Sequence, residues 1–230
     1  MKLLLGERYR AKLERPLMQV GAECVWMPDN PALDPRLSAH ADLSVFFPEP
    51  STAIAAKGMY PYFVNILTNN GRSVISSQEQ SKEYPKDAGL CVCSTGTYTI
   101  YSSGTIDPNA LPFLRGIRID VPQGYTRCSV CVVSDDAIIT ADDVIAHRAL
   151  EAGMDVLHIA PGHIILEGYD TGFIGGASFL IKKELLAFTG HLDEHPDKGR
   201  ILAFLGKHGV FPLFLTNDPI FDIGSAVTLP

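Results

Sequence analysis

Cys128, His40, Asp42 and Asp87 are the side chains of this sequence whose types suit nucleophilic or acid–base chemistry and whose spacing sets them in register. A thiol beside a histidine and a carboxylate can be activated as a thiolate, and a carboxylate removed from water can exchange protons near neutral pH. Asp42, Asp87, Cys128, Gly176 and Gly224 recur at separations of 45, 41, 48 and 48 residues. Lys86, Gln123, Arg127, Gly175 and Asp222 lie beside these positions, and Arg127 could hold a ligand carboxylate through charge-assisted hydrogen bonds. This group forms a candidate site for a small polar ligand with guanidino, amine or amino-acid-like character. It also allows an amidine or amide hydrolase with Cys128 as nucleophile, His40 as base and Asp42 or Asp87 as orienting carboxylate. The competing reading is a structural or interaction protein, with Asp and Gly serving turns and Cys128 a small buried hydrophobe.

Other chemistry-bearing segments fall short of a motif. Cys91 and Cys93 stand in C-x-C spacing on one face with no second pair nearby, and Cys131 falls on the core side of its strand. GHLDEHPD lacks the H-E-x-x-H arrangement, so His191, Asp193, Glu194 and His195 read as loop and cap residues, with Pro196 as the first helical residue. DTGFIGG leads into a strand and matches no phosphate-binding loop, and no G-x-S-x-G elbow occurs. No metal and no cofactor are expected.

The elements that must position the candidate residues repeat. CSVCVVSDD, AIIT, ADDVIAHRALEAG and MDVLHIA read as strand, strand, helix and strand, with Thr140 as helix cap and Gly153 as stop. GASFLI, ELLAF, HPDKGRILAFLGKHG and VFPLFLT repeat that order with Gly209 in the stop position. LSVFF, TAIAA, MYPYFVNILTNNG and RSVISS give a first copy. LCVCS, YTIYS, a turn around DPNALPFL and GIRIDV give a degenerate second copy. A fifth unit begins at FDIGSAVTLP, with QVGAECVWMP (19–28) available to complete it. Units starting near 40, 85, 126, 174 and 222 predict an α/β fold, a five-fold ββαβ β/α propeller forming one domain over 1–230. Strand starts then converge on a common axis, where the candidate residues would face a ligand cavity.

Composition narrows the function classes. A net charge of −7 leaves no basic surplus for a phosphate backbone, so nucleic acid is not an expected partner. No apolar run reaches the roughly 20 residues needed to cross a bilayer, and MKLLLGERYR is too short in its apolar part for a secretory signal. Five cysteines, an odd number in a chain of 230 residues, point to reduced thiols and a cytoplasmic setting. The sequence carries no signal of oligomeric state.

GFIGGAS (172–178) and DIGSAVTLP (222–230) resemble the strand entries of the pentein fold, the β/α propeller of guanidino-group-modifying enzymes. Together with QGYTRCSVCVVSDDAIITADD, LEGYDTGFIGGAS and FTGHLDEHPD they resemble, over roughly 35–230, an uncharacterised bacterial family assigned to that fold. The resemblance implies a cysteine nucleophile on the final repeat. Here Ala226 stands in that place and no cysteine follows Cys131, so the covalent guanidine chemistry of the fold is not expected.

Overall fold

The computed structural model describes residues 1–68 and 71–230. In chain order the elements are β1 (Lys2–Gly6), α1 (Arg10–Gln19), β2 (Glu23–Met27), β3 (Val45–Glu49), β4 (Thr52–Ala55), α2 (Tyr60–Leu67) and β5 (Ser73–Ser76). They continue as β6 (Cys93–Ser94), β7 (Tyr98–Tyr101), β8 (Ile117–Asp120), α3 (Thr126–Ser129), β9 (Val130–Val132), β10 (Ala137–Thr140), α4 (Asp143–Glu151) and β11 (Asp155–His158). The last are β12 (Ser178–Lys182), β13 (Leu185–Phe188), α5 (Lys198–Lys207), β14 (Phe211–Phe214) and β15 (Val227–Leu229).

These strands form five three-stranded sheets, each with an antiparallel and a parallel pair. In the first, β3 runs antiparallel to β4, and β4 runs parallel to β5 across the crossover helix α2. The same pattern holds for β9, β10 and β11 and for β12, β13 and β14. β6, β7 and β8 follow it with a short 3-10 turn at Leu111–Phe113 in the crossover in place of a full helix. The sheet at the chain ends pairs β15 with β1 antiparallel and β1 with β2 parallel. The N-terminal contribution to this unit therefore includes β1 and α1 as well as the segment 19–28 expected from the sequence.

Neighbouring units bury their apolar faces against one another. β1 shows why: Leu3 and Leu5 pack with Phe179, Ile181 and Ala187 of the fourth unit, while Leu4 on the opposite face joins Val45 and Ile54 of the first. Cys93, Ile100 and Ile119 pack against Val130 and Ile138 across the second and third units, and Ile139 meets Leu186 and Phe188 across the third and fourth. The middle strand of every sheet thus has two buried faces.

Local signals differ from the expected ones in two helices. α4 is capped by Asp142, whose side chain accepts from Val144 N and Ile145 N, rather than by Thr140; Thr140 instead accepts from Asp142 N at 3.2 Å. α5 begins at Lys198, after Pro196, and the Asp197 carboxylate reaches back to Ala160 N at 2.6 Å. Gly153 and Gly209 occupy the left-handed stop positions with φ of 94° and 68°. Gly206 is exposed within α5, and a methyl group added there would have no heavy atom within 4 Å. Gly206→Ala is expected to stabilise the protein by about 0.5–1 kcal/mol in chemical denaturation, because it removes unfolded-state entropy without a clash.

Candidate functional site

Hydrogen bonds between corresponding turns of neighbouring units build the axis. Asp42 N donates to Gly224 O at 3.4 Å, Ser225 N to Gly176 O at 2.8 Å and Gly176 N to Cys128 O at 2.8 Å. Thr126 Oγ1 donates to Cys91 O at 2.7 Å, and Gln80 Nε2 donates to Leu43 O at 2.7 Å. Of the residues aligned in the sequence, Asp42, Cys128, Gly176 and Gly224 are drawn together by these bonds ahead of the first strands, Asp42 and Cys128 in helical turns. Cys128 lies in α3, not in the strand expected at 128–134; β9 starts only at Val130. Asp42 lies in a 3-10 turn, Ala41–Leu43.

His40, Asp42 and Cys128 are 1%, 2% and 3% exposed, and their ligating atoms lie within 4.8 Å of one another. Cys128 Sγ donates to Asp42 Oδ2 at 2.8 Å. Cys91 Sγ lies 3.7 Å from Cys128 Sγ and 3.9 Å from the same carboxylate oxygen. Leu33, Leu37 and Leu43 pack around the two thiols. Among the described residues, neither His40 ring nitrogen nor Asp42 Oδ1 has a hydrogen-bond partner.

This environment fixes protonation. Loss of water pushes the Asp42 carboxyl up to about 7, against the opposing hydrogen bond from Cys128. Burial lowers the His40 pKa, so its imidazole is held neutral. The Cys128 thiol is raised well above its ordinary value, first by its contact with Cys91 and then by burial and the Asp42 charge. At neutral pH the sulfur is a thiol that donates, not a thiolate that attacks.

The remaining candidates divide by role. Tyr125 donates to Asp87 Oδ2 at 2.5 Å, and Asp87, raised mainly by burial, shares no hydrogen bond with the His40–Asp42–Cys128 cluster among the described residues. Asp222 accepts from Phe173 N at 2.9 Å and Gly224 N at 2.8 Å, so its carboxylate ties two loops together. Gln123 bridges Asp142 and Tyr125 N, and Lys86 is exposed. A methyl group at Gly175 would lie 2.3 Å from Val130 O, and one at Gly176 2.0 Å from Asp222 Oδ1. Arg127 donates to Ser225 Oγ at 2.6 Å and Val130 O at 3.2 Å.

Below the buried cluster, a cavity of about 270 Å³ is lined by the first strand of every unit: Phe46 of β3, Ser94 of β6, Val132 of β9, Phe179 of β12 and Thr228 of β15. Asp42 and Arg127 are the charged groups on its wall, and Ala226 also faces it.

A family model described as a family of unknown function (DUF6873) matches residues 4–227. The chain belongs to that family. No curated protein matches the DUF6873 chain in sequence. Solved structures show its fold: DDAH from Pseudomonas aeruginosa, a mutant complexed with citrulline, is 12% identical with a TM-score of 0.58, covering 98% of this chain and 95% of the other. An amidinotransferase from Microseira wollei, of the saxitoxin biosynthetic pathway, is 9% identical with a TM-score of 0.55, over 100% and 95%. Agmatine deiminase from C. jejuni is 8% identical with a TM-score of 0.51, over 93% and 87%. The DUF6873 chain therefore has the pentein fold, as its repeat and strand entries implied. Among its described residues no helix is long and apolar enough to cross a membrane.

Cys91, Tyr125 and Ser225 were not among the site residues expected from the DUF6873 sequence. C-x-C spacing put Cys91 and Cys93 on one face, but β6 begins only at Cys93 and strand alternation does not extend back to Cys91. Cys93 accordingly enters the core with Ile100 while Cys91 meets Cys128.

Proposed function

We propose that this protein binds a small zwitterionic, amino-acid-like ligand in the axial cavity without forming a covalent intermediate. The observation that carries the reading is the placement of one carboxylate and one guanidinium, Asp42 and Arg127, on the wall of a single cavity shared by all five units. Asp42 keeps a free oxygen for an ammonium or guanidinium group. Arg127 has no carboxylate partner among the described residues and can meet a ligand carboxylate. At about 270 Å³ the cavity falls just under the roughly 300–1,000 Å³ of drug-sized sites, which suits an amino acid better than a nucleotide. The likeness to a DDAH complexed with citrulline supports a ligand of that class. Ala226 presents a methyl group to the cavity where the resemblance placed a nucleophile, and this supports binding without covalent turnover.

The test is a thermal-shift and calorimetric screen of arginine, citrulline, ornithine, agmatine and polyamines. A ligand at 100 times its Kd should stabilise the protein by about 2.7 kcal/mol. Arg127→Gln is expected to weaken binding of carboxylate-bearing ligands about 10- to 100-fold, as the loss of a charge-assisted hydrogen bond implies, while sparing agmatine. A flat response across the set, or equal loss for arginine and agmatine, sinks the reading.

A further inference from the structure

We propose that Cys91, Cys128, Asp42 and His40 form a binding site for a thiophilic divalent cation of the zinc class, buried behind the Asp42 wall of the axial cavity. This goes beyond the ligand reading and stands on two sets of distances, those of Cys91 to Cys128 and Asp42 and those among His40, Asp42 and Cys128. Two zinc-bound thiolates, each about 2.3 Å from the metal at a tetrahedral angle, lie about 3.8 Å apart. The Cys91 and Cys128 sulfurs are 3.7 Å apart. Asp42 Oδ2 is 2.8 Å from one sulfur and 3.9 Å from the other, so the carboxylate sits over the same face. His40, Asp42 and Cys128 converge to within 4.8 Å.

A second observation points to a missing partner. His40 is 1% exposed with both ring nitrogens unsatisfied, and Asp42, 2% exposed, leaves Oδ1 unsatisfied. Unpaired buried polar atoms cost free energy, and a cation between them satisfies several at once. Two sulfurs with one imidazole and one carboxylate favour zinc over magnesium or calcium, which take oxygen ligands. Asp42 also lines the cavity, so the cluster adjoins it.

The balance is simple. A divalent cation displaces the two thiol protons to solvent, forms two metal–sulfur bonds and is completed by neutral His40 and ionised Asp42, with no change of oxidation state. The loaded cluster carries a formal charge of −1, the same as ionised Asp42 beside two thiols. Loading therefore leaves the cavity attractive to a cationic ligand group.

The experiment adds Zn²⁺ or Co²⁺ to the chelator-stripped protein in a phosphine reductant. Co²⁺ should give thiolate-to-cobalt charge-transfer absorption and tetrahedral d–d bands, and Zn²⁺ should bind at about one ion per chain with release of about two protons. Cys91→Ser and Cys128→Ser should each weaken binding by more than ~100-fold, beyond the effect of an outer-shell partner. Cys24→Ser, at a half-buried thiol outside the cluster, should leave it unchanged. Absence of a charge-transfer band in the wild-type protein, absence of proton release, or equal affinity in the Cys128→Ser and Cys24→Ser proteins overturns the proposal. The wild-type readouts decide the matter even where a cluster variant fails to fold.

Discussion

Replacing Asp42 with asparagine should raise the unfolding free energy of the metal-free protein by about 4 kcal/mol at pH 8 and leave it nearly unchanged near pH 4. Burial lifts this carboxyl from an ordinary 3.8 to about 7, and each tenfold gain in proton affinity on folding corresponds to roughly 1.4 kcal/mol. A carboxyl raised on folding binds its proton more tightly in the native state, so it costs nothing below its unfolded pKa. Its cost grows as pH climbs through the window from about 4 to 7 and is constant above. The amide at this position stays neutral throughout. Its oxygen can still accept from Cys128, and its nitrogen can donate to a His40 ring atom that otherwise has no partner.

His40 and His195 also titrate in this range. Burial lowers both, so each subtracts stability as pH falls below about 6.5, in the variant as in the parent. The His195 contribution cancels between the two urea-denaturation profiles, and above about pH 6.5, where the His40 imidazole is neutral in both folded and unfolded chains, the remaining offset belongs to Asp42. Profiles that run parallel from pH 4 to 8 would show that Asp42 is ionised at no cost. A stability gain confined to pH above 4, accompanied by loss of ligand or metal binding, marks a residue placed for binding at the expense of the fold.

The repeat was legible because it is written in apolar period and stop signals. The middle strands β4, β10 and β13 are each buried on both faces and read as short apolar runs, and Gly153 and Gly209 end their helices as the left-handed stop demands. β1 was not legible as a strand. LLLG has no turn residue before it and its strand partners are β2 and, across nearly the whole chain, β15, so nothing local marks it. The approach of Asp42 and Cys128 followed from their repeat positions, since turn hydrogen bonds link those positions through Gly224 and Gly176, and His40 accompanies Asp42 two residues ahead of it. Cys91 and Tyr125 were hidden for the opposite reason: they lie in irregular backbone before β6 and at the start of α3, where spacing does not determine direction.

Gly175→Ala should destabilise the protein by about 3 kcal/mol or more, and the atoms it meets explain the size. The added methyl would lie 2.3 Å from Val130 O, 2.5 Å from Val130 C and 2.6 Å from Arg127 O. All three are backbone atoms of the turn and strand that carry Cys128 and Arg127, so no side-chain rotation relieves the overlap and the chain itself must move. Gly176→Ala meets Asp222 Oδ1 at 2.0 Å instead, and that carboxylate is pinned by Phe173 N and Gly224 N. Moving it aside releases a buried backbone donor at Gly224 and a part-buried one at Phe173, which is also costly. If these glycines served a ligand directly, their alanine variants would keep normal stability and lose binding. If they serve the close approach of the third, fourth and fifth units, denaturation midpoints fall sharply while the fraction still folded binds normally. Equilibrium denaturation of both variants, paired with ligand titration below their midpoints, separates the two roles, and the contacts around Gly175 and Gly176 favour the second.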